Sequence, residues 1–152
     1  MATVEVSFTP LPAHVRTARL VATAVARRSG VPESLLDEVR LAVGEACSRA
    51  VEAHQSHCPA EPVHISLTRD EDRFEVTVTD AAPGDGGNGA HAPSIPQQNG
   101  AWESVSDVQL PDGVGLAVIA GLADDVQIAR TDGGLAIQMT WNCLADADTV
   151  IH

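Results

Sequence analysis

Glu45 and Arg49 stand four residues apart in the stretch Leu41-Ala42-Val43-Gly44-Glu45-Ala46-Cys47-Ser48-Arg49-Ala50. A positioned carboxylate can act as a general base, and a guanidinium one helical turn later can neutralise it or hold an anion. On spacing alone the first reading is an exposed ion pair in the favourable Glu-before-Arg order, contributing about 0.3–0.5 kcal/mol. Asp80 directly follows an apolar alternation, so it is a strand-end acid. Such a residue either caps a turn or reads an adenine-type amino group at the base of a pocket. Gly113-Val114-Gly115 can cradle a phosphate on backbone N–H groups or serve as a hinge, and Asp112 beside it opposes an anion.

His54, His57, Cys58 and His64 fit no standard four-ligand zinc spacing, so no metal is expected from them. Arg16, Arg19 and Arg27, with Thr23 between them, share one helical face. That stripe is either solvated or a docking surface for an acidic segment of a partner. No Ser-His-Asp or Cys-His set can be assembled from the sequence.

These residues need elements to hold them. Residues 3–9 alternate, with Val4, Val6 and Phe8 on one face, which predicts a half-buried strand. Pro10 and Pro12 then lead into a helix whose apolar residues are Val15, Ala18, Ala22 and Val25, with Gly30 at its end. Pro32 and Glu33 open a second helix, with Val39, Val43, Ala46 and Ala50 as its buried stripe, running to about His54. Val63-Ile65-Leu67 and Phe74-Val76-Val78 flank Asp70-Glu71-Asp72 and predict a hairpin. Periodicity vanishes from Asp80 to Asp112, the length of a lid or binding loop. Residues 114–119 predict a short buried helix. A second hairpin follows, with Val126 and Ile128 opposite Ile137, Met139 and Trp141 around Thr131-Asp132-Gly133-Gly134. From about Asn142 the tail is polar and expected to fray. The order β-α-α-β-β-loop-α-β-β predicts one domain over 1–152, a two-layer α/β (α+β) sandwich with a mixed, mostly antiparallel sheet and helices on one face.

Composition narrows the classes of function. A net charge of −12 argues against nonspecific binding to nucleic acid or an acidic membrane. No apolar run reaches the roughly 20 residues of a membrane-spanning helix. Three cysteines at irregular spacing suit reduced thiols, and with no secretion signal at the N-terminus they point to the cytoplasm. All nine basic residues are Arg, which reads as a base-composition bias rather than a physical demand.

In sequence order, the helix with Glu45 and Arg49, then Val78-Thr79-Asp80-Ala81-Ala82-Pro83-Gly84, then Asp112-Gly113-Val114-Gly115-Leu116 and Leu122-Ala123-Asp124-Asp125-Val126 form a specific set. The set resembles the bacterial anti-sigma-factor serine kinases of the histidine-kinase/Hsp90-like ATPase superfamily, over about Val4 to Trp141. The resemblance implies the Bergerat-type sandwich, with ATP between the helices and a mobile lid. It implies two partners, a sigma factor and an anti-anti-sigma protein of the STAS fold, and a homodimer through the exposed sheet face. It further implies Glu45 as the former catalytic base, Asp80 as the adenine-reading acid, and Gly84, Gly113 and Gly115 as pocket glycines. Arg19, with Arg16 and Thr23, takes the place of the partner-contacting arginine on the first helix.

The departures from that family are equally specific. The Mg²⁺-holding Asn is replaced by Arg49, the middle glycine of the Asp-x-Gly-x-Gly box by Ala82, and the threonine pair after Gly134 by Leu135-Ala136. The lid carries no Lys or Arg between Asp80 and Asp112. A guanidinium offers only donors, whereas Mg²⁺ needs oxygen ligands, and phosphoryl transfer depends on metal and positioned charge. The expectation is a binding protein with a vestigial nucleotide site in which Arg49 pairs with Glu45, no cofactor, and no metal. The alternative is an active serine kinase using ATP and Mg²⁺ with rearranged ligands. Arg49 could instead touch phosphate directly, allowing nucleotide binding without turnover, and a third option is a broader regulator that keeps the fold but binds an unrelated partner.

Overall fold

Alternation along each strand puts the apolar residues on one side of a sheet, where two helices cover them. The computed structural model describes residues 2–81, 102–104, 118–131 and 134–143. Within them the chain runs β1 (Ala2–Phe8), α1 (Pro12–Arg28), α2 (Glu33–His57), β2 (Val63–Asp70), β3 (Arg73–Thr79), β4 (Glu103–Ser104), β5 (Asp125–Thr131) and β6 (Gly134–Asn142). The strands make one six-stranded sheet in the order β1-β2-β3-β6-β5-β4. The sheet expected to be mixed and mostly antiparallel is antiparallel at every described pairing.

The register explains how the core is built. Ile65 lies opposite Val78, Val78 opposite Ile137, and Ile137 opposite Ile128, giving one apolar row across four strands. A second row runs Leu67, Val76, Met139 and Val126. Phe74 faces Trp141 across β3 and β6, with ring centroids 6.2 Å apart. Alternate positions place Ser66, Thr77, Gln138 and Gln127 in a polar row on the opposite face. All of Val39, Val43, Ala46 and Ala50 are buried, as the helical spacing predicts. α2 contacts α1 as well as β2 and β3, and is therefore the central helix.

Local chemistry sets the element ends. Pro12 occupies the first turn of α1. After the cap at Ser29, Gly30 takes φ +95°, its N–H donates to the Arg27 carbonyl, and the Val31 N–H donates to the Ala26 carbonyl. This is the Schellman arrangement, and the buried Val31 supplies its usual apolar contact. Asp70 pairs with Arg73, leaving a two-residue hairpin loop in which Glu71 takes φ +56°.

Four boundaries differ from the sequence reading. α2 continues past His54 to His57, because His54 extends the buried stripe and keeps that turn on the core. Glu103 and Ser104, inside the segment expected to lack structure, pair with Ile128 and Gln127 at the edge of β5. A two-residue strand has no alternation for a sequence to display. Of the expected 114–119 helix, the described part is helical over 118–120, with Ile119 buried. The chain stays paired beyond the expected start of the frayed tail: Asn142 lies opposite Arg73, and the Cys143 N–H donates to the Asp72 carbonyl. Among the described residues no helix is long and apolar enough to cross a membrane.

A Cβ at Gly30 would meet open space, so its replacement is penalised by backbone conformation alone. Gly30→Ala is expected to lower unfolding stability by about 1 kcal/mol in a urea titration, with the m-value unchanged.

Candidate functional site

The site lies where α2 meets the end of β3. Asp80 follows the last residue of β3 and is only 3% exposed, so its carboxylate needs internal partners. Arg49 supplies the charge: its Nη1 donates to Asp80 Oδ2 at 2.9 Å, in an ion pair with side-chain exposures of 31% and 3%. Asp80 Oδ1 accepts the Leu135 N–H at 3.2 Å, and the Asp80 N–H donates to the Leu135 carbonyl at 2.9 Å. Asp80 is thus held from α2 on one side and from the start of β6 on the other.

This overturns the expected Arg49–Glu45 pairing. Both arrangements are open to a guanidinium on that helix face, but a buried carboxylate loses far more without a cation than a solvated one does. Glu45 is half-buried and, among the described residues, carries no side-chain hydrogen bond or ion pair. It keeps the acceptor oxygens a general base requires. Position 49 does not fit a family-type Mg²⁺ site, since the guanidinium has no lone pair to offer and is committed to Asp80.

Two glycines make room for these contacts. A Cβ at Gly134 would overlap the Asp80 carbonyl oxygen and crowd Asp80 Oδ1, so only glycine lets β6 start this close to the acid. A Cβ at Gly44 would lie 2.6 Å from Arg19 Cδ, so the Arg19 stem crosses from α1 onto α2 over the bare backbone at Gly44. Burial pushes the neighbouring Cys47 thiol up to about 12, with the Arg19 guanidinium pulling it back. Cys47 is therefore an inert core thiol.

The other candidate residues fall into four groups. Arg16 is exposed, Arg19 is half-buried against α2, and the Thr23 hydroxyl donates to the Arg19 carbonyl at 2.7 Å. Arg27 pairs with Glu33 at 3.1 Å, which removes it from the basic stripe. Leu135 and Ala136 are buried, so apolar packing occupies the positions expected to offer hydroxyls. Gly84, Gly113 and Gly115, together with Ala82 and Asp112, lie outside the described residues. Among the described residues no cluster of three or more His, Cys, Asp or Glu side chains is placed to hold a metal ion. His54 is fully buried with both ring nitrogens hydrogen-bonded, and His64 bonds Ser7 Oγ at 2.8 Å.

The profile of the histidine kinase-like ATPase domain matches residues 8–141. The chain belongs to that family. Within it, the chain is similar to the serine-protein kinase RsbW of Oceanobacillus iheyensis, at 27% identity over 139 residues that span 90% of this chain and 84% of the relative. It is 30% identical to the serine-protein kinase RsbW of Bacillus mycoides over 129 residues, 84% of this chain and 76% of the relative. The crystal structure of the RsbU and RsbW domains of Rv1364c from Mycobacterium tuberculosis shares the fold, with a TM-score of 0.64 at 14% identity. That match covers 93% of this chain and 32% of the other, longer one. Membership of the RsbW-type family and its α/β sandwich is what the ordered motifs anticipated.

Sequence reasoning placed Glu45, Arg49 and Asp80 on adjoining elements but did not pair the last two. It also missed His54 as a structural neighbour of the acid. The signal was present, because His54 falls four residues after Ala50 on the buried stripe.

Gly134→Ala forces backbone against backbone and is expected to destabilise the fold by at least about 2 kcal/mol. Arg49→Ala strips a partly screened partner from a buried acid and is expected to cost about 1–3 kcal/mol. Urea denaturation of the two variants measures both, with Gly134→Ala the larger.

Proposed function

We propose that this family member is an anti-sigma factor that sequesters a sigma factor by direct protein contact. An anti-anti-sigma partner of the STAS fold releases it, without phosphoryl transfer. The observation that carries this reading is the Arg49–Asp80 pair. In the family pattern Asp80 is the acid that reads adenine and position 49 is the Asn that holds Mg²⁺. Here each removes the other from that work: the guanidinium brings no oxygen ligand, and the carboxylate faces Arg49 and the Leu135 N–H. Gly84, Gly113 and Gly115 then belong to a vestigial nucleotide pocket, and no cofactor is needed.

Arg16 and Arg19, flanked by Thr23, make the docking face for the sigma factor on α1. Arg19 is the more closely packed of the two arginines, since its stem lies on Gly44. The chain acts in the cytoplasm, contacts neither nucleic acid nor membrane directly, and pairs with a second copy through the polar face of the sheet. A charge of −12 disfavours direct contact with nucleic acid, and the local basic face on α1 suits an acidic segment of the partner.

One observation favours a second reading, in which the chain is an ATP-dependent serine kinase acting on its STAS partner. Glu45 keeps its carboxylate clear of Arg49, and the relatives are named serine-protein kinases. Titration calorimetry with ATP and Mg²⁺ separates the two readings. The binding-protein reading expects no saturable heat at millimolar nucleotide and no phosphate on the STAS protein. Sub-millimolar binding with transfer to a serine would replace it with the kinase reading. The docking face has its own test: Arg19→Glu is expected to weaken capture of the sigma factor at least about tenfold while thermal unfolding stays within a few degrees of the parent. Unchanged capture would move the interface off α1.

A further inference from the structure

We propose that His54 is the positioning residue of this site: held in one neutral tautomer, it ties the backbone at Ala81 to α2 and so sets where Asp80 meets Arg49. His54 has this role whether or not the site takes a nucleotide.

His54 is fully buried, in the last turn of α2. Its Nε2 lies 2.8 Å from the Ala81 amide nitrogen, and its Nδ1 lies 2.8 Å from the Glu61 carbonyl oxygen. A backbone amide can only donate and a carbonyl can only accept. Nε2 therefore presents its lone pair and Nδ1 carries the proton, which fixes the ring as the neutral Nδ1–H form. The Ala81 N–H needs such a partner: β3 ends at Thr79, the Asp80 N–H is taken by the Leu135 carbonyl, and Ala81 is itself buried. Left alone it would be a buried donor without an acceptor, at a cost of about 1–3 kcal/mol.

The same helix thus grips two successive residues of one strand end, Arg49 through the Asp80 side chain and His54 through the Ala81 backbone. The second contact fixes the backbone on the far side of Asp80, while the Leu135 bonds fix the near side. With both ends of its peptide held, Asp80 has little freedom to turn its carboxylate from Arg49. The Glu61 carbonyl completes the arrangement by orienting the ring, and it joins the loop before β2 to the same post.

Two substitutions divide the ring's two bonds. The amide oxygen of Gln can reproduce the Nε2 acceptor, and the amide nitrogen of Asn can reproduce the Nδ1 donor. In ¹⁵N-labelled protein, long-range imidazole spectra of the native chain should show a protonated Nδ1 and an unprotonated Nε2. Hydrogen exchange at the Ala81 amide should stay within about threefold of native in His54→Gln and accelerate by at least about tenfold in His54→Asn. The slowly exchanging Arg49 guanidinium resonance should persist in His54→Gln and broaden in His54→Asn. A native spectrum showing Nε2–H or a doubly protonated ring overturns the assignment, whether or not either variant folds. Equal Ala81 exchange and equal Arg49 signals in two folded variants overturn it as well, because a merely space-filling histidine would not distinguish them.

Discussion

A carboxylate taken out of water at the end of a central strand constrains everything around it. Asp80 is enclosed between α2 and the start of β6, and several kcal/mol would be lost if it had no cation and no donors there. Arg49 answers the charge and the Leu135 N–H answers an oxygen. Gly134 leaves the space that allows both strands to approach. These contacts fix α2 against the sheet at the point where the chain leaves β3. Glu45, one turn earlier on that helix, inherits its position from the same anchorage.

Much of the fold could be read from periodicity. The apolar rows Ile65–Val78–Ile137–Ile128 and Leu67–Val76–Met139–Val126 are alternations visible in each strand, and the α2 stripe is visible at 3.6-residue spacing. Gly30 announced its helix end through the φ that only glycine takes cheaply. What periodicity could not show is pairing between elements distant in sequence. β4 has two residues and no pattern, and its partner lies on β5. The polar tail residue Asn142 lies opposite Arg73 and its N–H donates to Asp124 Oδ2, contacts that depend on register rather than on its own character.

The candidate site divides along the same line. Residue types identified Glu45, Arg49 and Asp80, but spacing along one helix favoured the local Glu45–Arg49 pair. The distant Arg49–Asp80 pair prevails because burial multiplies the value of a charge contact, and burial of Asp80 is a tertiary fact. His54 lies among His57, Cys58 and His64, whose spacing gives no metal site, and its place on the apolar stripe marks it as a satisfied core histidine, although its two partners lie beyond that stripe in sequence.

Under the proposed binding-protein reading, loss of the metal ligand and loss of the adenine contact would be one event rather than two, because both follow from Arg49. An uncharged residue at position 49 would leave the buried Asp80 carboxylate without the guanidinium that faces it. Arginine offers no oxygen ligand and at the same time compensates the acid, so the pair anchors α2 to the end of β3. A lysine could bring the charge, but its compact, strongly hydrated ammonium is a poorer partner for a buried carboxylate than a planar guanidinium with several N–H donors. Burial and the Arg49 contact give Asp80 a structural role: the acid that the family pattern assigns to adenine holds α2 to the sheet.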